Sequence, residues 1–271
     1  MTEEKPARVF GNRWADAVGP AGDGPARDYC RCVEPTGTNP QHPNAFHAER
    51  QDTDAPGWIR LLELIEEAAA DGREVFKPLV ELTAEQRRQV ITLPPTIAEL
   101  TAVKHLVLYG SNLVRIPPEI GAMESLEEFS PYTSPRLHWF PYEITRCANL
   151  RRSTVSTRRI YGNYKYRPYF PQLADPVAAR DVDLGDLDPG IWGATTIRTC
   201  SVCDRAVDGS TLRQVWISLW TSGADILPLL VNACSQECVD ALPQPAKGFN
   251  QTPHRGGPDL EQPPGGHHPG R

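Results

Sequence analysis

No stretch of the 271 residues comes near the roughly 18 to 20 consecutive apolar side chains that a membrane-spanning helix requires. No secretory leader is expected from the opening MTEEKPARVFGNRW, which carries acids and a proline where a basic region and an apolar run should follow each other. Nor is there an excess of positive charge. Against 28 Lys and Arg stand 34 Asp and Glu, a formal net charge of -6, which argues against a general polyanion binder but allows a local basic patch. No nucleophile, base and oxyanion donor assemble at credible spacing, so the expectation is a protein that is not an enzyme. The seven cysteines are an odd count in a chain without a leader. They point to a reducing, cytoplasmic setting in which thiols serve as metal ligands or buried groups instead of disulfides.

What is abundant is Pro, at 27, and Gly, at 21, too many breakers for one continuous globule. Folded islands joined by irregular chain are expected. Residues 1–53 have no sustained apolar period and read as irregular chain partly draped on its neighbour. Beyond Pro56 the pattern changes. Trp58, Leu61, Leu62, Ile65 and Ala69 line one helical face, with Asp54 as the expected N-cap and Gly72 as the stop. A strand-like stretch over 75–82 follows, and Thr83 with Gln86 has capping-box spacing ahead of a short helix running to Val90.

After Val90 a unit recurs with proline as its marker: Leu93-Pro94-Pro95-Thr96-Ile97, Ile116-Pro117-Pro118-Glu119-Ile120, and Phe140-Pro141-Tyr142-Glu143-Ile144. Pro94, Pro117 and Pro141 stand 23 and 24 residues apart. Leu100, Met123 and Cys147 repeat in phase, as do Val103, Leu126 and Leu150, so Cys147 reads as a buried small hydrophobe. Leu106, Leu108, Leu113, Ile116 and Pro117 follow the leucine-rich repeat consensus, with Ser111 where Asn is usual. The block resembles a leucine-rich repeat at three registers. One strand and one turn cannot bury a Leu face alone, but stacked copies share a core. Two departures stand out: Pro131 falls in the expected strand of the middle unit, and Ser153 takes an apolar position in the third.

What this resemblance implies is a concave sheet that binds a protein. Its outward positions are His105, Val107, Tyr109, Glu128, Ser130, Tyr132, Arg152, Thr154 and Ser156, and the alternative is an ordinary solvated face. Downstream, residues 151–169 hold six basic residues, four Tyr and no acid. Within it Arg158, Arg159, Tyr161, Tyr164, Lys165, Tyr166 and Arg167 have the composition of a nucleic-acid surface, phosphates meeting cations and bases meeting rings. A structural cap on the repeat end and a contact to a protein partner are the other two readings.

Four cysteines form two pairs, Cys200-Ser-Val-Cys203 and Cys234-Ser-Gln-Glu-Cys238, with 30 residues between them. Two short pairs supply the tetrahedral thiolate set that zinc prefers, and four thiolates close the sphere, which makes the ion structural. A redox disulfide is the competing reading. Strand character over 214–220 and a Ser235-capped helix carrying Cys238 make this part similar to a treble-clef finger of the MYM/TRASH variety. Cys30 and Cys32, with His42 and His47, are candidates for a second metal site, against the alternative of loop thiols.

Taken whole, the chain resembles bacterial intracellular leucine-rich repeat proteins in which a short repeat block precedes a four-cysteine zinc finger. The implied fold class is α/β, a solenoid of about three repeats with a helical cap and a small zinc domain. The expected division is an irregular segment 1–53, a cap 54–90, repeats 91–173, an acidic linker 174–195, a zinc finger 196–242, and a Pro/Gly-rich tail 243–271, extended or disordered. The implied function is a non-enzymatic, Zn2+-braced interaction module with a protein partner and no membrane. The alternative is a nucleic-acid binder using residues 151–169.

Overall fold

The structure is a computed structural model that describes residues 44–47, 49–155, 159–173, 199–207, 211–222 and 225–266. The expected linker 174–195 lies outside them. Among the described residues the fold is a mixed α/β arrangement with two sheets and few helices. Among the described residues no helix is long and apolar enough to cross a membrane.

The first helix, α1 (Pro56–Asp71), buries Trp58, Leu61, Leu64, Ile65 and Ala68 on one stripe. Its N-cap is Ala55, without a side-chain cap, and Pro takes the first turn. Asp54 is therefore not the cap; the Asp52 carboxylate accepts its N–H instead. Gly72 ends the helix at φ 65°, a left-handed conformation that glycine adopts without a Cβ penalty. Of the strand expected over 75–82 only β1 (Val75–Phe76) forms, because Pro78 opens a 3-10 turn, Pro78–Val80. Helix α2 (Ala84–Gln89) begins with the full capping box: the Thr83 hydroxyl accepts from Gln86 N–H and the Gln86 side chain accepts from Thr83 N–H. Thr83→Ala should lower stability by about 1 kcal/mol, read as a shift in the urea midpoint; no shift would mean that this turn frays in the native state.

Beyond α2 the marker prolines become structural joints. Each is followed by a 3-10 turn: Pro95–Glu99, Pro118–Ala122 and Tyr142–Arg146. Equivalent residues then make equivalent hydrogen bonds, with the N–H of Leu100, Met123 and Cys147 donating to the carbonyls of Ile97, Ile120 and Ile144. Three strands follow these turns: β2 (His105–Val107), β3 (Glu128–Ser130) and β5 (Arg152–Ser153). With β1 they form a parallel sheet, β1-β2-β3-β5, in which Val75, His105, Glu128 and Arg152 pair in one row. Beneath it Leu106, Phe129, Leu126, Ile120 and Met123 are fully buried. Strand β3 stops at Pro131, which has no N–H to give a ladder. Neighbouring hydrogen bonds pass around it, from Leu108 N–H to Ser130 O and from Gly110 N–H to Tyr132 O.

A second, mixed sheet has the order β4-β7-β6. Here β4 (Phe140–Pro141) belongs to the third proline marker, while β6 (Arg213–Ser222) and β7 (Asp225–Ala233) form an antiparallel hairpin. Strand β7 pairs parallel with β4, Phe140 opposite Leu229. One apolar core accordingly runs from Ala55 and Trp58 through the repeated units to Cys200, Leu227, Val231 and Val239. The repeat block and the cysteine-bearing part share it.

Two irregular segments bind this body from outside. Residues 44–47 and 49–51 form a strap across the units: Gln51 bonds Ile91 and Gln89, Arg115 donates to the carbonyls of His47 and Glu49, Tyr161 donates to Ala45 O, and Asn44 donates to Tyr169 O. Residues 243–266 form no helix or strand beyond one bridge, Trp216 with His254, yet they are packed, not disordered: Ala246 and Phe249 are buried. Ala246 N–H donates to Ser218 O, and Leu173 N–H to Arg255 O.

Between strap, tail and third unit lies an aromatic cluster centred on Trp216. The rings of Phe46, Trp139, Tyr161 and Phe170 stand 5.6, 6.1, 5.7 and 5.5 Å from it. Its indole N–H donates to Pro171 O at 3.0 Å, so the one polar atom of a fully buried side chain is satisfied.

Candidate metal centre and partner face

Cys200 and Cys203 sit on a tight knuckle. Thr199 bridges Ala206, Cys200 N–H donates to Arg205 O, and Asp204 takes φ 60° at the bend, a conformation that Asp tolerates better than most residues. Cys234 follows the last residue of β7, and Cys238 lies on α3 (Gln236–Asp240), whose N-cap Ser235 accepts from Cys238 N–H. Knuckle and hairpin are joined through Ser201, which donates N–H to Asn232 O and accepts Asn232 N–H on its hydroxyl.

This brings together all four cysteines named from the sequence, with every Sγ within 4.8 Å of the others. Cys203 and Cys234 are 3.5 Å apart, Cys234 and Cys238 3.7 Å. A tetrahedron with metal–sulfur bonds of about 2.3 Å has edges of roughly 3.8 Å, so the set fits an ion of zinc's size. Electrostatics points the same way. Arg205, whose Nε donates to Cys203 Sγ at 3.3 Å, pulls that thiol down to about 6, whereas Cys234, bonded to its thiol neighbours, is pushed up to about 12. Four adjacent thiols cannot all ionise against one another, and a divalent cation removes that conflict. Backbone N–H groups of Val202 and Cys234 also donate to Cys200 Sγ at 3.4 and 3.3 Å. Two residues that spacing alone did not single out complete the surroundings: Arg205, and Arg146 from the third unit, which donates to Ser201 O and to the Asp204 carboxylate. An Arg two positions after a ligand was the available sign for the first; Arg146 carried none.

Of the positions named on the strands, His105 and Arg152 are exposed and Val107 and Glu128 half-buried; just past the strand ends, Tyr132 is exposed and Tyr109 and Thr154 are half-buried. Tyr109 and Tyr132 lie side by side, ring centres 6.0 Å apart. Ser130, named with them, is fully buried and donates to Glu128, so it offers no surface to a partner. Ser156 lies outside the described residues, as does Arg158. Ser153, polar in an apolar phase, faces Asp225 of β7, whose carboxylate is 3.4 Å from its hydroxyl.

The basic, Tyr-rich stretch divides. Tyr161 is buried with its hydroxyl on Ala45 O, and Arg167 lies over the Phe249 ring with its guanidinium on the carbonyls of Gly162 and Gly248. Neither is available to a nucleic acid; both hold the strap and tail in place. Arg159 and Tyr164 are half-buried, while Lys165 and Tyr166 are exposed.

Of the second cysteine group, Cys30, Cys32 and His42 lie outside the described residues. His47 is buried against His138. Cys147 donates its S–H to Ile120 O, and burial pushes its thiol up to about 11, far from a nucleophile's range. No protein-family model matches the chain, and no curated protein matches it at a significant level.

Proposed function

We propose that the protein is a non-enzymatic interaction module: a short leucine-rich repeat block whose concave sheet docks a protein partner, braced at its carboxyl-terminal end by a treble-clef-like finger with a structural zinc. The observation that carries this reading is the tyrosine pair, Tyr109 and Tyr132, set side by side just past the carboxyl ends of β2 and β3, with Tyr132 exposed. Aromatic and Arg side chains are the groups that most often anchor protein interfaces. The in-phase turns and the single-row register support the repeat assignment. Knuckle, hairpin and ligand-bearing helix support the finger, and four thiolates leave no position for a reactive water. For the alternative, nucleic-acid binding through residues 151–169, the exposed groups among the described residues are Arg151, Arg152, Lys165 and Tyr166, with Arg159 and Tyr164 half-buried.

The test is the double variant Tyr109→Ala, Tyr132→Ala. Recovery of a specifically retained protein should fall at least about tenfold, the effect of losing one or two interface anchors, with zinc content and near-UV circular dichroism unchanged. Equal recovery by parent and variant would rule out this face.

A further inference from the structure

Where the strap crosses the third unit, two imidazoles meet in the interior. His138 is fully buried and His47 nearly so. In the preceding units the phase of His138 is held by Ile91 and Val114, and a buried polar ring in an aliphatic position is costly unless its nitrogens are satisfied. Each Nδ1 is committed: His47 Nδ1 lies 2.9 Å from the Glu49 carboxylate, and His138 Nδ1 lies 2.8 Å from Arg159 O. Carboxylate and carbonyl oxygens only accept, so Nδ1 carries the proton in both rings. In a neutral imidazole Nε2 is then a lone-pair donor to a cation. The two Nε2 atoms stand 3.3 Å apart. Two lone pairs at that separation can be shared by one cation.

The spacing fits one metal ion held by both rings. Two imidazoles on one tetrahedral ion, with metal–nitrogen bonds of about 2.0 to 2.1 Å, have Nε2 atoms roughly 3.3 Å and ring centres roughly 5.2 Å apart. The observed values are 3.3 Å and 5.2 Å. Burial lowers the pKa of both rings, that of His138 to about 3, which disfavours an imidazolium and keeps the ligand form. Histidines that bind a metal commonly donate the other ring N–H to a carboxylate or a backbone carbonyl; here one ring has each.

We propose that His47 and His138 are two ligands of a second metal site, distinct from the four-cysteine centre, which takes a borderline divalent cation such as zinc and fastens the strap to the third unit. Imidazole nitrogen suits this class of ion, and hard cations such as magnesium are poor candidates. The pair fills two positions of a tetrahedron. Such an ion would couple the strap to the body in the same way that Arg115 and Gln51 do, but reversibly, through the availability of metal. The proposal is independent of the partner-face reading.

The experiment is zinc analysis of the full chain in a His267→Gln, His268→Gln background, which removes the histidine pair near the carboxyl terminus. About two equivalents per chain are expected, falling to one after His47→Gln or His138→Gln. One equivalent in the parent, or two retained in both histidine variants, overturns the proposal. If His138→Gln does not fold, His47→Gln, matched to the parent by near-UV circular dichroism, decides alone.

Discussion

Replacing Cys200 with Ser should cost the protein one equivalent of zinc and most of its cooperative thermal transition. Structural zinc contributes on the order of 10 to 16 kcal/mol of apparent free energy to small thiolate domains, as much as the whole stability of an ordinary domain, about 5 to 15 kcal/mol. In most modular proteins the loss would stay local. Here Cys200 and Cys238 belong to the same apolar core as the repeated units, and β7 of the hairpin pairs with β4 inside the third unit. Arg146 also reaches from that unit to the knuckle at Ser201 and Asp204. The unfolding should therefore spread into residues 140–155, seen as faster amide hydrogen exchange at Phe140 and Leu150. A variant that loses its zinc yet keeps a transition within a few degrees of the parent would disprove this coupling.

The second large effect is expected at Trp216. Truncation to Ala removes a fully buried indole from among four surrounding rings, and aromatic-to-Ala changes in cores cost about 3 to 5 kcal/mol. The damage should be asymmetric. Phe46 is the strap's apolar contact with this cluster, and its ring is parallel to that of Trp216 within 20°. Proteolysis of Trp216→Ala should cut first near residues 44–51, and the urea midpoint should fall with it. Trp220, four positions on and 42% exposed, provides the control: Trp220→Ala should lower stability by much less, and comparable losses at the two sites would contradict the assigned core.

Much of this was legible before any coordinates. The proline-marked period is visible because stacked units must repeat their apolar phase, and Leu100, Met123 and Cys147 take equivalent places in equivalent turns. The capping box at Thr83 and the cysteine pairs are local patterns with local physics, and they read correctly. What did not read was everything whose reason lies far away in the chain. The strap has no periodicity, since its residues are chosen for partners such as Arg115, His138 and Tyr161. The tail looked like disorder because Pro and Gly dominate it, yet Phe249 and Ala246 supply an apolar anchor at intervals too wide for a pattern. There was one usable sign. Ser153 and His138 are polar residues in apolar phases, and each turned out to face a long-range partner, Asp225 and His47. A break in an otherwise regular phase is a pointer to a contact that sequence spacing cannot name.

Asp225 carries a further consequence. A parallel sheet that grows by identical units has no intrinsic last member, and its final strand offers open N–H groups to any extended chain that arrives. Beyond β5 the next donor, Val155 N–H, is taken at 3.3 Å by the Asp225 carboxylate. A carboxylate accepts but cannot pass a hydrogen bond onward, so at this donor an arriving extended chain would meet a charge instead of an open N–H.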